Sequence, residues 1–233
     1  MSSTTERSYG SRIEKAKKLK TFITGFTNYQ PANGEFSPDD FQLAIDEAET
    51  LSPQVATTLF NYRQVVAQRR EIYTKSPLSI KRIITPINAY LRAKYGKNSV
   101  NYLATKSLVA KIRGVKLKKQ TKVDSETHSI SQQSYGSILL NYQNLINDVE
   151  ALGTQYQPAN QNISLQNLLD IKTKAATSNE QVTLAFGLLT PKQDQRTATF
   201  NTLSEKAQRI KDFVQSQYGI NSSEYKLVKG LNI

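Results

Sequence analysis

The side chains best suited to a chemical role are ten cations between residues 92 and 122, a stretch with no Asp or Glu. The first acid after them is Asp124. Lys and Arg neutralise phosphate groups without reading a base sequence, so we expect a polyanion to be held here non-specifically and released by salt. The candidate polyanion-binding residues are Arg92, Lys94, Lys97, Lys106, Lys111, Arg113, Lys116, Lys118, Lys119 and Lys122.

Charge is distributed unevenly along the chain, which has a formal net charge of +12. Basic and acidic residues number six and two in residues 1–30, none and six in 31–60, sixteen and two in 61–125, and nine and nine in 126–233. A helical scaffold requires no such asymmetry to fold. The basic excess is therefore the strongest functional indication in the sequence.

Three interpretations fit the basic stretch. It can bind nucleic acid, with Tyr90, Tyr95 and Tyr102 stacking on bases, although tyrosines in a helix commonly belong to the core. It can be a solvated face that keeps the protein dispersed or touches an acidic protein, which requires no special residues. It can also contact an anionic membrane surface if it forms a basic helix with one apolar side. That side would consist of Leu103, Leu108, Val109, Ile112 and Leu117.

Other chemistries lack the residues that they need. The chain has no Cys and a single His, His128, which excludes disulfides, thiolate nucleophiles and two-histidine metal sites. Its ten Gly residues form neither GxxxxGK nor GxGxxG, so the sequence contains no phosphate-binding loop of either kind. We expect no catalytic residue, no metal site and no cofactor, and we predict that the protein is not an enzyme. The enzymatic alternative would use Asp, Glu, Lys or Tyr alone, and no acid pair in the sequence is identifiable as lying in a cleft.

An acidic cluster follows Ser37-Pro38, a pair typical of a helix start because Ser caps free amides and Pro is tolerated in the first turn. The spacing of the acids matches neither a calcium-binding loop nor the Glu-x-x-His pairs of a di-iron bundle. Helix-end electrostatics and pairing with the basic half of the chain explain the cluster better than a metal does. The cluster consists of Asp39, Asp40, Asp46, Glu47 and Glu49.

Apolar residues that recur every three or four positions predict helices throughout, and no segment alternates as a half-buried strand does. Such patterns cover residues 13–26, 41–51, 59–66, 80–91, 138–152 and 203–218. Ser52-Pro53 and Ser76-Pro77 predict new helix starts, and Gly187 with Pro191 predict a break or kink near Leu189. The predicted fold is therefore all-α.

Three motifs occur twice in the same order, which indicates two copies of one unit. The offsets between the copies are 126, 127 and 123 residues. The pairs are SYGS at 8–11 and 134–137, YQPAN at 29–33 and 156–160, and YGxNSxxYxxxK at 95–106 and 218–229. We predict a basic helical copy over 1–116, a polar linker over 117–133 that contains His128, and a neutral helical copy over 134–233.

The arrangement resembles tandem-repeat helical proteins of Bacteroidetes in which a Tyr-x-Pro-x-Asn turn and a terminal aromatic-Gly-x-x-Ser-x-x-Tyr element recur. The matching residues are Tyr29, Pro31, Asn33, Tyr156, Pro158 and Asn160, with the elements at 95–102 and 218–225. The resemblance implies the architecture of a bacterial helical protein and implies no activity or ligand. We interpret the YQPAN tyrosines as anchors of a turn in the core.

These observations predict two homologous antiparallel helical bundles, of about four helices each, that arose by internal duplication. With 38% hydrophobic residues, a mean hydropathy of -0.52 and no long apolar run, the chain is expected to be cytoplasmic and to lack a membrane span. The leading functional hypothesis is a non-catalytic interaction or structural protein that binds other protein chains. The alternative is an accessory protein that binds nucleic acid through residues 92–122. The oligomeric state stays open.

Overall fold

A computed structural model of the chain describes residues 8–31, 34–114 and 133–233, and every regular element among these residues is helical. The α-helices are α1 (Tyr9–Gly25), α2 (Pro38–Arg70), α3 (Ile80–Tyr95), α4 (Val100–Arg113), α5 (Tyr135–Glu150), α6 (Leu165–Tyr218) and α7 (Ser223–Val228). Short helical turns lie at Gly34–Phe36, Glu71–Lys75, Gly153–Gln155 and Gln161–Ile163. The predicted all-α fold is confirmed. Of the predicted linker, only Gln133 belongs to the described residues; the rest of it, which includes His128, lies outside them.

Serine side chains cap helices at matching positions of the repeated motifs. Ser8 and Ser134 each accept the backbone N–H of the residue three positions later, at 3.2 and 3.0 Å. Ser99 and Ser222 cap α4 and α7 in the same way, at 3.2 and 3.1 Å. The cap predicted at Ser37 is confirmed by an equivalent bond of 3.1 Å. Each cap satisfies a backbone donor that the first helical turn leaves unpaired.

The helix start predicted at Ser52-Pro53 and the break predicted near Leu189 are wrong, while a kink near Leu189 stays a prediction. Helix α2 continues through Pro53, and α6 continues through Gly187 and Pro191 for 54 residues. A proline lacks the helical N–H, so Pro53 and Pro191 leave the carbonyls of Glu49 and Gly187 without their usual helical donors. The hydroxyls of Ser52 and Thr190 bond to the neighbouring carbonyls of Ala48 and Phe186, at 3.0 and 3.2 Å, and so do not replace the lost bonds. Buried residues on both sides of each proline keep the helices packed, so tertiary contacts override the local signal. Several predicted helices are therefore merged into α2 and α6.

The chain divides into two compact units that cut across the two predicted copies. Unit 1 comprises Met1–Asn61 and Phe186–Ile233, and unit 2 comprises Tyr62–Ala185. Helices α2 and α6 each contribute their two ends to different units. Each unit thus combines the front part of one predicted copy with the back part of the other.

Each unit has its own buried apolar core. In unit 1 the core includes Phe36, whose ring lies 5.3 Å from that of Phe213. In unit 2 it includes Tyr142, whose hydroxyl donates to the Leu168 carbonyl at 3.3 Å. The unit 1 core is formed by Ile13, Ala16, Leu19, Ile23, Phe36, Phe41, Ile45, Ala48, Phe200, Leu203, Ala207, Ile210, Val214 and Val228. The α3 and α4 contribution to unit 2 is formed by Ile80, Ile83, Ile84, Ile87, Leu91, Tyr102, Val109 and Ile112.

The repeated motifs make matching contacts in the two units. Tyr29 donates its hydroxyl to the carbonyl of Phe36 at 3.0 Å, and Tyr156 donates to that of Ile163 at 2.6 Å, in each case seven positions on. The interpretation of these YQPAN tyrosines as turn anchors is confirmed. The hydroxyl of each links the turn after the first helix of its copy to the start of the next helix.

An arginine stacks on the tyrosine of each SYGS motif. The Arg196 guanidinium lies 4.3 Å from the ring centre of Tyr9, and that of Arg69 lies 4.1 Å from the ring centre of Tyr135. These distances are within the range of cation–π attraction. The two arginines are 127 positions apart, and each belongs to the opposite sequence copy from the tyrosine that it covers.

Candidate polyanion-binding surface

The structure places the described members of the predicted cation set in unit 2, on two consecutive helices and the turn between them. Arg92 and Lys94 lie in the last turn of α3, Lys97 lies in the following turn, and the next cations lie on α4. No Asp or Glu occurs between Glu71 and Asp124, so neither helix carries an acid. The described members of the predicted set are Arg92, Lys94, Lys97, Lys106, Lys111 and Arg113, while Lys116, Lys118, Lys119 and Lys122 lie outside the described residues.

Helices α3 and α4 form an antiparallel hairpin. The Arg113 guanidinium at the end of α4 donates to the Thr85 hydroxyl in the first half of α3 at 2.9 Å. Gly96 allows the connection, because its φ of 81° is one that other residues rarely adopt. The apolar sides of both helices are buried in the unit 2 core. The opposite sides face outward.

The helical repeat determines which residues share the outer side of the hairpin. Seven residues make two helical turns, so Thr85 and Arg92 lie on one side of α3, and Lys106 and Arg113 lie on one side of α4. Because Thr85 meets Arg113 and the helices are antiparallel, Arg92 and Lys106 come to the same level. We call this surface the cationic hairpin face. It consists of Arg82, Thr85, Ala89, Arg92, Leu103, Lys106, Ala110 and Arg113, of which only Ala110 is half-buried rather than exposed.

Two of the predicted cations make contacts beside this face. Lys94 donates to the backbone carbonyl of Gln155 and lies 5.9 Å from the ring centre of Tyr90. Lys111 is half-buried, and its carbonyl accepts a hydrogen bond of 2.8 Å from Gln133. Helical geometry, rather than position within the basic stretch, therefore selects the members of the face.

Sequence reasoning missed Arg82, which lies ten residues before the predicted set begins. The signal was present in the sequence, because residues 82, 85, 89 and 92 follow the spacing of one helix side. The density of cations along the chain does not reveal Arg82 as a member of the face. The spacing of cations along one side of a helix does reveal it.

The three tyrosines among the cations are used in packing. Tyr102 is 5% exposed. Tyr90 meets the ring of Tyr156 edge-on at 5.3 Å and accepts the backbone N–H of Gln157 at 3.1 Å. Tyr95 donates to the Gln155 side chain at 3.3 Å. The stacking of bases on these rings, considered in the nucleic-acid interpretation, has no support in this packing.

The apolar side of α4 is also occupied. Val109 and Ile112 are buried, and Leu108 packs against the same core. These three residues therefore face protein, whereas Leu103 is 48% exposed on the outer side of α4 and Leu117 lies outside the described residues. Burial of most of the predicted apolar side argues against the membrane-surface interpretation. Among the described helices, none contains an apolar stretch long enough to cross a bilayer.

Charge separates by unit. Unit 2 contains 18 Lys and Arg residues against 7 Asp and Glu, while unit 1 contains 13 against 12. The ion pairs Lys17–Glu49 at 2.5 Å and Lys206–Asp40 at 2.6 Å both lie in unit 1. Within the described part of unit 2, no Lys or Arg forms an ion pair with a carboxylate. The described cations of unit 2 are thus without an ion-paired carboxylate.

The acidic cluster on α2 makes its contacts inside unit 1. Glu49 and Asp40 pair with lysines of that unit, and Glu47 accepts the Thr199 hydroxyl at 3.3 Å. The expected pairing with the basic half of the chain is wrong, because the partners Lys17 and Lys206 lie outside residues 61–125. In the described ranges, no group of three metal-ligating side chains occurs.

Unit 1 offers an internal comparison for the cationic hairpin face. The buried residues Leu203, Ala207, Ile210 and Val214 on α6 lie 123 positions after Ile80, Ile84, Ile87 and Leu91, the offset between the YG elements. At the positions of unit 1 that are 123 residues after the α3 members of the face, the side chains are uncharged or acidic. In place of Arg82, Thr85, Ala89 and Arg92, unit 1 has Glu205, Gln208, Asp212 and Gln215.

Comparison of the chain with protein-family models, with curated proteins and with solved structures finds no match. The interpretation of the surface therefore depends on its own geometry and charge.

Proposed function

We propose that this chain is a non-catalytic, internally duplicated helical binding protein that holds an acidic partner on the cationic hairpin face. The observation that carries the proposal is the separation of charge between the two units. Unit 2 has 18 basic residues against 7 acidic ones, and its described cations have no carboxylate partner. An unpaired cationic surface attracts polyanions and speeds their association.

The comparison with unit 1 supports a functional origin for this charge. At the equivalent side of α6, Glu205 and Asp212 stand where α3 has Arg82 and Ala89. The buried side keeps its apolar pattern in both units. Since one scaffold accommodates either surface, folding does not require the cations of α3.

Matching contacts support duplication as the origin of the scaffold. The tyrosine anchors, the serine caps and the arginine stacks recur at offsets of 123 to 127 residues. We propose that two copies exchanged their back halves, so that each compact unit contains parts of both. Divergence after duplication then gave one unit its positive charge.

The test is calorimetric titration with heparin, a flexible polyanion. The exchange variant Arg82→Glu/Ala89→Asp/Arg92→Gln carries the residues of unit 1 at the equivalent positions, so its fold is expected to be kept. The control variant Lys18→Gln/Lys20→Gln/Lys226→Gln/Lys229→Gln removes the same total charge from unit 1. We expect the exchange variant to lose affinity at least about tenfold and the control less than about threefold. Equal losses, or no binding by the parent chain, would overturn the proposal.

A further inference from the structure

We infer that the partner held on the cationic hairpin face is a nucleic acid, bound through its sugar–phosphate backbone without base readout. This inference rests on the proposed function, because both use the same face. The proposed function requires only an acidic partner. The geometry of the face narrows the chemistry of that partner.

The cations form two rows with a spacing suited to a chain of phosphates. With a rise of about 1.5 Å per residue, Lys106 and Arg113 lie about 10 Å apart along α4, and Arg82 and Arg92 about 15 Å apart along α3. Packed helices lie about 8–10 Å from one another. A nucleic-acid strand in a duplex presents one phosphate per about 3.4 Å of axis, so each row spans several successive phosphates.

The residues between the cations leave room for a backbone to approach. Ala89 and Ala110 are the smallest side chains on the face, and each lies between cations of its own helix. Thr85 holds the Arg113 guanidinium at 2.9 Å and so orients one of the cations. An arginine fork suits phosphate oxygens because it donates two parallel hydrogen bonds.

The face lacks the anchors that a protein partner would need. Protein interfaces are centred on buried aromatic and apolar side chains and are depleted in Lys. The one large apolar side chain on the face is Leu103, which is 48% exposed and stands at one end of its α4 row. Tyr90, Tyr95 and Tyr102 are held in packing contacts, so no ring on this surface stacks on a base. Phosphate contacts alone are therefore expected, without sequence preference.

The inference is tested by fluorescence anisotropy with labelled duplexes of about 20 base pairs in two unrelated sequences, titrated over a series of salt concentrations. The face has four cations, and one phosphate contact from each predicts a slope of log affinity against log salt concentration of about -3 to -4. These cations are Arg82, Arg92, Lys106 and Arg113. The exchange variant loses two arginines, so its slope is expected to be shallower by about two. The charge-matched unit 1 variant is expected to keep the parent slope.

The remaining outcomes separate the two proposals. If polyglutamate of equal charge competes as well as the duplex, nucleic-acid recognition is overturned and the proposed function stays in place. Binding of heparin without binding of the duplex would have the same two consequences. Affinities that differ more than about tenfold between the two sequences would overturn backbone-only contact. Equal loss of duplex binding in the exchange and control variants would reject the face itself. Failure to bind either heparin or duplex would overturn both proposals.

Discussion

At the scale of single residues, tyrosine hydroxyls that packing shields from water contribute to how the fold responds to alkaline pH. Burial raises the pKa of Tyr29 to about 12, and the nearby Tyr218 adds to the shift. Burial also raises the pKa of Tyr73, Tyr142 and Tyr156. The pKa of a tyrosine in the unfolded chain is about 10. A tyrosine with a higher folded-state pKa makes its full contribution to the free energy of unfolding below about pH 10, and that contribution is lost as the pH rises through the folded-state pKa.

We therefore expect the free energy of unfolding to fall as the pH rises from about 10 to about 12. Tyrosinate absorbance should increase together with the loss of helical circular dichroism, and the chain suits this measurement because it has 12 Tyr and no Trp. In the matched variant Tyr29→Phe, loss of the bond to Phe36 costs about 1 kcal/mol at neutral pH. Above about pH 10 the variant should lose stability less steeply than the parent. Parallel pH profiles would contradict this account.

The residue scale also shows why the candidate site was only partly predictable. The basic stretch contains Arg92, Lys106 and Arg113, which also lie on the cationic hairpin face, and their charges are visible in the sequence. It did not reveal that Lys94 bonds to a carbonyl or that Arg82 belongs to the same face. The contact of Lys94 and the place of Arg82 on the face depend on which side of α3 is buried, and tertiary packing determines that side.

At the scale of elements, the backbone conformation of Gly96 connects α3 to α4 and thereby shapes the cationic hairpin face. Its φ is 81°, and a Cβ built there meets nothing within 4 Å, so any cost of a side chain comes from the backbone. Gly136 lies inside α5, also with open space around a Cβ. The two glycines therefore form a matched pair.

We expect Gly96→Ala to destabilise the protein by about 1–3 kcal/mol, because only glycine readily adopts that conformation. We expect Gly136→Ala to be neutral or to stabilise by up to about 1 kcal/mol, because Ala favours a helix more than Gly does. Chemical denaturation of both variants against the parent measures the two changes. Shifts of the same sign and size would contradict the assigned backbone conformation.

Helical secondary structure was predictable, while the continuation of helices through proline was not. Apolar periodicity located α1, α3 and α5, and the Ser37 cap was recognisable from its context. Pro53 and Pro191 indicated interruptions that the structure does not have. A lost helical hydrogen bond is a local cost, whereas the packing that offsets it comes from residues distant in sequence.

At the scale of the whole molecule, the distribution of charge follows from which segments share a compact unit. In the sequence, the basic part is the back half of the first copy. In the structure, that half joins the front of the second copy in unit 2, while the acidic cluster lies with its lysine partners in unit 1. The repeated motifs predict two copies, but they carry no information about which halves pack together, because the corresponding halves of two similar copies could pack in either combination.

We predict that each compact unit requires segments from both predicted copies, and the most direct test is to cut the chain between those copies. A specific protease site inserted between residues 117 and 132 allows the peptide chain to be cleaved between the predicted copies. Because unit 1 joins Arg12 to Phe200 and unit 2 joins Tyr73 to Asn179, we predict that the two fragments co-elute in size-exclusion chromatography and separate only in denaturant. Fragments that separate under native conditions while keeping their helical content would contradict the account.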